Sequence, residues 1–98
     1  MAKRVKIEKG SGNVFEDIGF PPHEAQNLLM RAELMMKVET YVDKCSLTQK
    51  EAAKLLGLTQ PRLNDLLKGK IDKFSLDALV NMLARAGMKV KLTVRKAA

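Results

Sequence analysis

Gln60, Arg62 and Asn64 set two carboxamides and a guanidinium at alternate positions in the run "LTQPRLNDLLKGK", with Asp65 beside them. A carboxamide offers a donor and an acceptor side by side, and a guanidinium offers a fork of donors. Such groups grip flat polar partners two bonds at a time and do no acid–base work near neutral pH. Around them lie Gln49, Lys50, Lys54, Lys68, Lys70 and Lys73, a polar and cationic set suited to holding anions. A nucleophile elbow, a phosphate-cradling glycine loop and a convergent acid–base pair are all lacking. His23 stands alone beside two prolines with no Cys, Asp or Glu cluster at ligand spacing, so it reads as a surface residue and no metal site is expected. The chain is therefore expected to bind rather than catalyse, without metal or cofactor.

The elements that must position these groups are written around Gly57. Thr48 with Glu51 forms a capping box, which starts a helix at Gln49 and carries it through Ala52, Ala53, Leu55 and Leu56. Ala53 is small enough to let a second helix cross closely, and Gly57 supplies the left-handed residue that ends the first helix tightly. Leu58 turns inward, Thr59 or Gln60 caps the next helix around Pro61, and Leu63, Leu66 and Leu67 give it a buried side. Small Ala53, turning Gly57 and the apolar positions 58, 63 and 66 form the inner pattern of a helix-turn-helix over residues 48–68.

With Leu63 and Leu66 inward, Gln60, Arg62, Asn64 and Asp65 lie on or beside the outer side near the start of the second helix. That is where such a helix meets base edges in the major groove of double-stranded DNA. Arg62 can give two donors to guanine, and Gln60 and Asn64 can each pair with adenine, each good contact discriminating by about 1–3 kcal/mol. Asp65 can accept from cytosine or orient Arg62. Gln49 and the amides of its helix start are candidates for a backbone phosphate, joined by Lys50, Lys54, Lys68, Lys70 and Lys73.

The rest of the chain agrees with this reading. Ninety-eight residues suit one domain, and a formal net charge of +7 favours nucleic acid or another anionic partner. The charge is polarised: residues 10–45 carry three basic and six acidic side chains, whereas residues 46–73 carry six basic and three acidic. Residues 1–12 read as a basic flexible arm, with "RVKIE" also able to form a short strand given a partner edge, and residues 13–98 as the single domain. "NVFEDIGF" offers one helical turn with Asn13 and Glu16 at capping-box spacing. A long helix follows from the prolines to Cys45, with Leu28, Ala32, Met35, Val38 and Val42 on one face. Ser75 caps another helix, whose inner stripe is expected to be Leu76, Leu79, Val80 and Leu83 and which Gly87 ends. Residues 88–95 then alternate Met88, Val90, Leu92 and Val94 with Lys89, Lys91, Thr93 and Arg95, the pattern of a short C-terminal β-strand. Its partner would be the same strand of a second chain, "RVKIE", or none. One cysteine, Cys45, suits a reducing cytoplasm, and with no apolar run for a signal or a membrane span, a cytoplasmic location without membrane attachment is expected.

The run from Leu47 to Leu83 resembles the Xre type of the lambda-repressor and Cro-like helix-turn-helix family, through the Thr-Gln that opens both helices and the Gly-Lys after the second. More narrowly, "GNVFEDIGFP" and "DKFSLDALVNMLARAGMKVKLTV" resemble the HigA-type antitoxins and their stand-alone regulator relatives. The resemblance implies an all-α, lambda-repressor-like DNA-binding domain of about five helices that binds a palindromic operator as a homodimer and often represses its own promoter. It implies Gln49 on phosphate, Thr59, Gln60, Arg62 and Asn64 in the groove, and residues 68–70 flanking it. In many relatives the partner is a small toxin that cleaves messenger RNA, so the other reading is an interaction protein that works mainly by neutralising such a toxin, with DNA binding secondary.

Overall fold

Each helix begins and ends where a local signal dictates. The computed structural model describes residues 13–96, so the expected arm at residues 1–12 lies outside the described residues. The first helix, α1 (Val14–Asp17), is capped by Asn13, whose Oδ1 accepts from the backbone N–H of Phe15 at 2.9 Å and of Glu16 at 3.4 Å. Phe15 and Phe20 meet edge to face with ring centroids 6.2 Å apart, and α1 packs against the next helix.

That next helix, α2 (Pro22–Lys44), is the spine of the domain. Proline at its first position spares a donor that would be unpaired in any case, and no breaker follows until Cys45. Its buried residues are Ala25, Leu28, Met35 and Val38, with Val42 half-buried on the same side. The helix touches α1 and, later in the chain, the helices Gln60–Leu67 and Leu76–Arg85.

Two eight-residue helices, α3 (Gln49–Leu56) and α4 (Gln60–Leu67), follow. Both halves of the capping box are made: the Thr48 hydroxyl accepts from the Glu51 N–H at 3.1 Å, and the Glu51 carboxylate accepts from the Thr48 N–H at 2.9 Å. Gly57 has φ +79°, a conformation in which an added Cβ crowds the following backbone, so glycine stops α3 and redirects the chain. Thr59 is the cap of α4, its hydroxyl accepting from the Arg62 N–H at 3.3 Å. A single 3-10 turn, Ile71–Lys73, then leads to α5 (Leu76–Arg85), which Ser75 caps by accepting from the Ala78 N–H at 3.2 Å.

The core gathers between α2, α3, α4 and α5. Its largest fully buried side chains are Phe74, Leu56, Leu63, Leu66, Leu79 and Val38, and full burial of an aliphatic side chain of this size contributes about 1.5–3 kcal/mol. Ala52 and Ala53 are also buried, and their small side chains suit the close packing of α3 against α4. Two arginines tie the framework together over long separations. Arg31 of α2 donates through Nη1 to the carbonyls of Ile71 at 3.2 Å and Phe74 at 3.4 Å. Arg85 of α5 donates through Nε to the Leu55 carbonyl at 3.0 Å.

Two expectations are corrected. Among the described residues the chain forms five α-helices, the 3-10 turn and no β-strand, so residues 88–95 are not the C-terminal strand their alternation suggested. A strand needs a second edge to satisfy its backbone groups, and none is offered among the described residues. The inner stripe of α5 also differs: Leu79, Met82 and Leu83 are buried, whereas Val80 is 37% exposed. Positions 79, 82 and 83 repeat at three and four and share one side, and flexible methionine fills the gap beside them.

Candidate nucleic-acid interface

The crossing of α3 and α4 decides what α4 shows to solvent. Leu63 and Leu66 face the core, with Leu67 half-buried beside them. Gln60 and Asn64, four residues apart and both exposed, are one helical turn apart along an open edge. Thr59 is exposed as well, although its hydroxyl oxygen is engaged by the cap. Side chains on a helix lean toward its N-terminus, so these groups gather at the leading end of α4.

Arg62 and Asp65 are held in ways that spacing did not reveal. The Arg62 guanidinium lies over the ring of Phe74, 4.6 Å from its centroid, while the side chain as a whole remains exposed. Asp65 is the acid nearest in sequence to Arg62, yet it pairs with Lys70 at 3.4 Å. Lys70 thus partly neutralises the one acidic residue of α4, and Arg62 keeps its donors and its charge.

The cationic residues fall into two groups. Lys68 caps the end of α4, Lys70 follows it, and Lys73 closes the 3-10 turn, all exposed. This segment is anchored from behind by Arg31 through the Ile71 and Phe74 carbonyls, so its lysines stand on a held loop. Gln49 is the first residue of α3 and is exposed beside unpaired helix-start amides. Lys50 and Lys54 are exposed on the side of α3 away from buried Ala52, Ala53 and Leu56. Among the described residues, no group of three or more His, Cys, Asp or Glu could hold a metal ion, and no helix is long and apolar enough to cross a membrane.

Three residues that sequence reading did not single out border this surface: Phe74 under Arg62, and Asn81 and Arg85 of α5. The last two share with Arg62 a cleft of about 330 Å³ behind Gly57 and Leu58. Their only sequence signal was polarity on a helix otherwise read for its apolar stripe.

A family described as "Helix-turn-helix domain" matches residues 14–95. The chain belongs to that family. A solved structure described as "Putative XRE Family Transcriptional Regulator" is similar with a TM-score of 0.69 and 27% sequence identity, over 76% of this chain and 83% of that one. No curated protein matches. Family and fold together support a DNA-binding transcriptional regulator of the Xre type. In this helix-turn-helix protein α3 and α4 are the two helices of the motif.

Proposed function

We propose that this helix-turn-helix protein is a sequence-specific regulator that binds a palindromic operator as a dimer, with α4 in the major groove. The observation that carries the reading is the exposed leading edge of α4, where Gln60 and Asn64 stand open while buried Leu63 and Leu66 anchor the helix. Gln60 and Asn64 suit adenine, Arg62 suits guanine, and Thr59 and Asp65 stand at the margins of the same surface. Gln49, with Lys50, Lys54, Lys68, Lys70 and Lys73, suits the phosphates that fix register. Dimerisation is supported by the apolar row of residues 88–95, in which Leu92 is 73% and Val94 85% exposed, surface that a second copy would cover. The two presented helices would then stand about 34 Å apart, one turn of DNA.

The finer reading is an autorepressing antitoxin of the HigA type, carried by the resemblance of "GNVFEDIGFP" and of residues 72–94. A second observation favours a protein partner in either case. Ile18 is 68% and Met36 61% exposed, and Met36 lines an open groove of about 470 Å³ between α1, α2 and the end of α4. The surrounding stretch, residues 10–45, is the acidic part of the chain, which suits a small basic toxin.

A gel-shift with the DNA upstream of the protein's own reading frame tests the first reading. Binding is expected to survive competitor DNA in the wild type and to lose its sequence preference in Gln60→Ala and Asn64→Ala. Retention equal to that on unrelated DNA, or variants that discriminate as well as wild type, would sink it. Co-purification with the product of a neighbouring reading frame tests the toxin reading, which fails if the two co-expressed chains elute separately.

A further inference from the structure

We infer that Phe74 is a positioning residue for Arg62: its ring holds the guanidinium by one face so that the edge donors are presented, already aligned, to a base of the bound DNA. The inference deepens the proposed function and rests on Arg62 being a reader.

Three observations carry it. Arg62 sits 4.6 Å from the Phe74 centroid, within the range in which a cation is attracted to a ring face. Phe74 is only 1% exposed and is itself held, its carbonyl accepting from Arg31 and its side chain belonging to the core cluster, so Arg62 rests on a packed platform. Finally, Arg62 makes no ion pair or side-chain hydrogen bond among the described residues, because Lys70 engages Asp65 and the cleft beside Arg62 is lined by Asn81 and Arg85 rather than by an acid.

A guanidinium held by a carboxylate spends its donors and its charge on that partner. Held over a ring, it gives up none to a carboxylate, and its five N–H groups, fixed in the guanidinium plane, stay available to a flat polar partner. The contact also removes part of the rotamer entropy that a long side chain would otherwise lose on meeting DNA. Phe74 is thus placed to sharpen discrimination at the base Arg62 reads while adding no contact of its own.

The test has two arms. In the free protein, NMR should show the side-chain δ-methylene protons of Arg62 shifted upfield by the ring current, and ordinary shifts there would overturn the inference without reference to DNA. For binding, a duplex enriched from a random pool is compared with the same duplex altered at its guanine, for wild type, Phe74→Leu, Arg62→Ala and the double variant. Phe74→Leu is expected to lower the discrimination ratio roughly two- to fivefold, the worth of an exposed cation–π contact, and to have no further effect once Arg62 is alanine. A loss that persists in the Arg62→Ala background marks Phe74 as merely structural and overturns the inference, as does an unchanged or improved ratio in Phe74→Leu. If Arg62→Ala keeps full discrimination, Arg62 is not a reader and the inference falls with that assignment. Phe74→Met, which keeps the bulk without the ring, replaces Phe74→Leu if the latter does not give a cooperative melt.

Discussion

Replacing Gly57 with alanine perturbs the backbone position on which the crossing of α3 and α4 depends. Gly57 has φ +79°, and an L side chain held in that region costs about 1–2 kcal/mol, offset by about 0.4–1 kcal/mol because alanine also restricts the unfolded chain. Gly69, at φ +77°, carries the same backbone terms, and a Cβ there would meet nothing within 4 Å. At Gly57 the added Cβ would lie 2.9 Å from Arg85 Nε, the atom that donates to the Leu55 carbonyl at 3.0 Å. The Arg85 side chain must withdraw and that hydrogen bond is lost, at the lower end of about 0.5–1.5 kcal/mol because it is exposed. Gly57→Ala should therefore destabilise the domain by about 0.5 kcal/mol more than Gly69→Ala, an extra fall in Tm of roughly 2–4 °C. In an Arg85→Ala background the two glycine substitutions should cost the same. Thermal and urea unfolding followed by circular dichroism measures all of these variants. Equal losses in the wild-type background, or an excess that survives without the Arg85 side chain, would refute the reasoning.

Other perturbations separate the scaffold from the binding surface. Leu63→Ala, which empties a fully buried site, should cost about 2–5 kcal/mol in equilibrium unfolding. Thr59→Ala removes the hydroxyl that caps α4 and should cost about 0.5–2 kcal/mol, with a matching loss of operator affinity because α4 begins at that cap. Lys68→Ala should weaken binding to all DNA alike and reduce the slope of log K against log salt by about 0.9. Lys70→Ala should cost more affinity than Lys68→Ala at low salt, because it also exposes the Asp65 charge that Lys70 now offsets; equal losses would show that the ion pair has no bearing on DNA.

The parts of the fold legible in the sequence are those with local causes. Thr48 with Glu51, Gly57, Thr59 and Ser75 act within four residues of themselves, so the starts of α3, α4 and α5 and the turn between α3 and α4 follow from spacing. The open choice between Thr59 and Gln60 is decided for Thr59 by a hydrogen bond that spacing alone could not favour. Contacts between distant residues were not legible: Arg62 on Phe74, Arg31 on the Ile71 and Phe74 carbonyls, and Arg85 on the Leu55 carbonyl each join separate elements whose side chains show no shared periodicity. Asp65 illustrates the same limit, since proximity in sequence offered Arg62 as a partner and the loop beyond α4 supplied Lys70 instead. Residues 88–95 failed for another reason, because alternation describes how a strand would divide its side chains but not whether a neighbouring edge exists. Val80 failed because apolar type alone does not decide which side of α5 turns inward.

The central claim is that α4 reads DNA through Gln60, Arg62 and Asn64. The direct measurement is selection of duplexes from a random pool by the purified full-length protein, followed by sequencing of the bound fraction. The account predicts one enriched inverted repeat with half-sites about one helical turn apart, and loss of that enrichment in the Gln60→Ala, Asn64→Ala double variant, which should still fold and still bind DNA at low salt. A pool that stays random under the wild-type protein, or a double variant that enriches the same repeat, would contradict it.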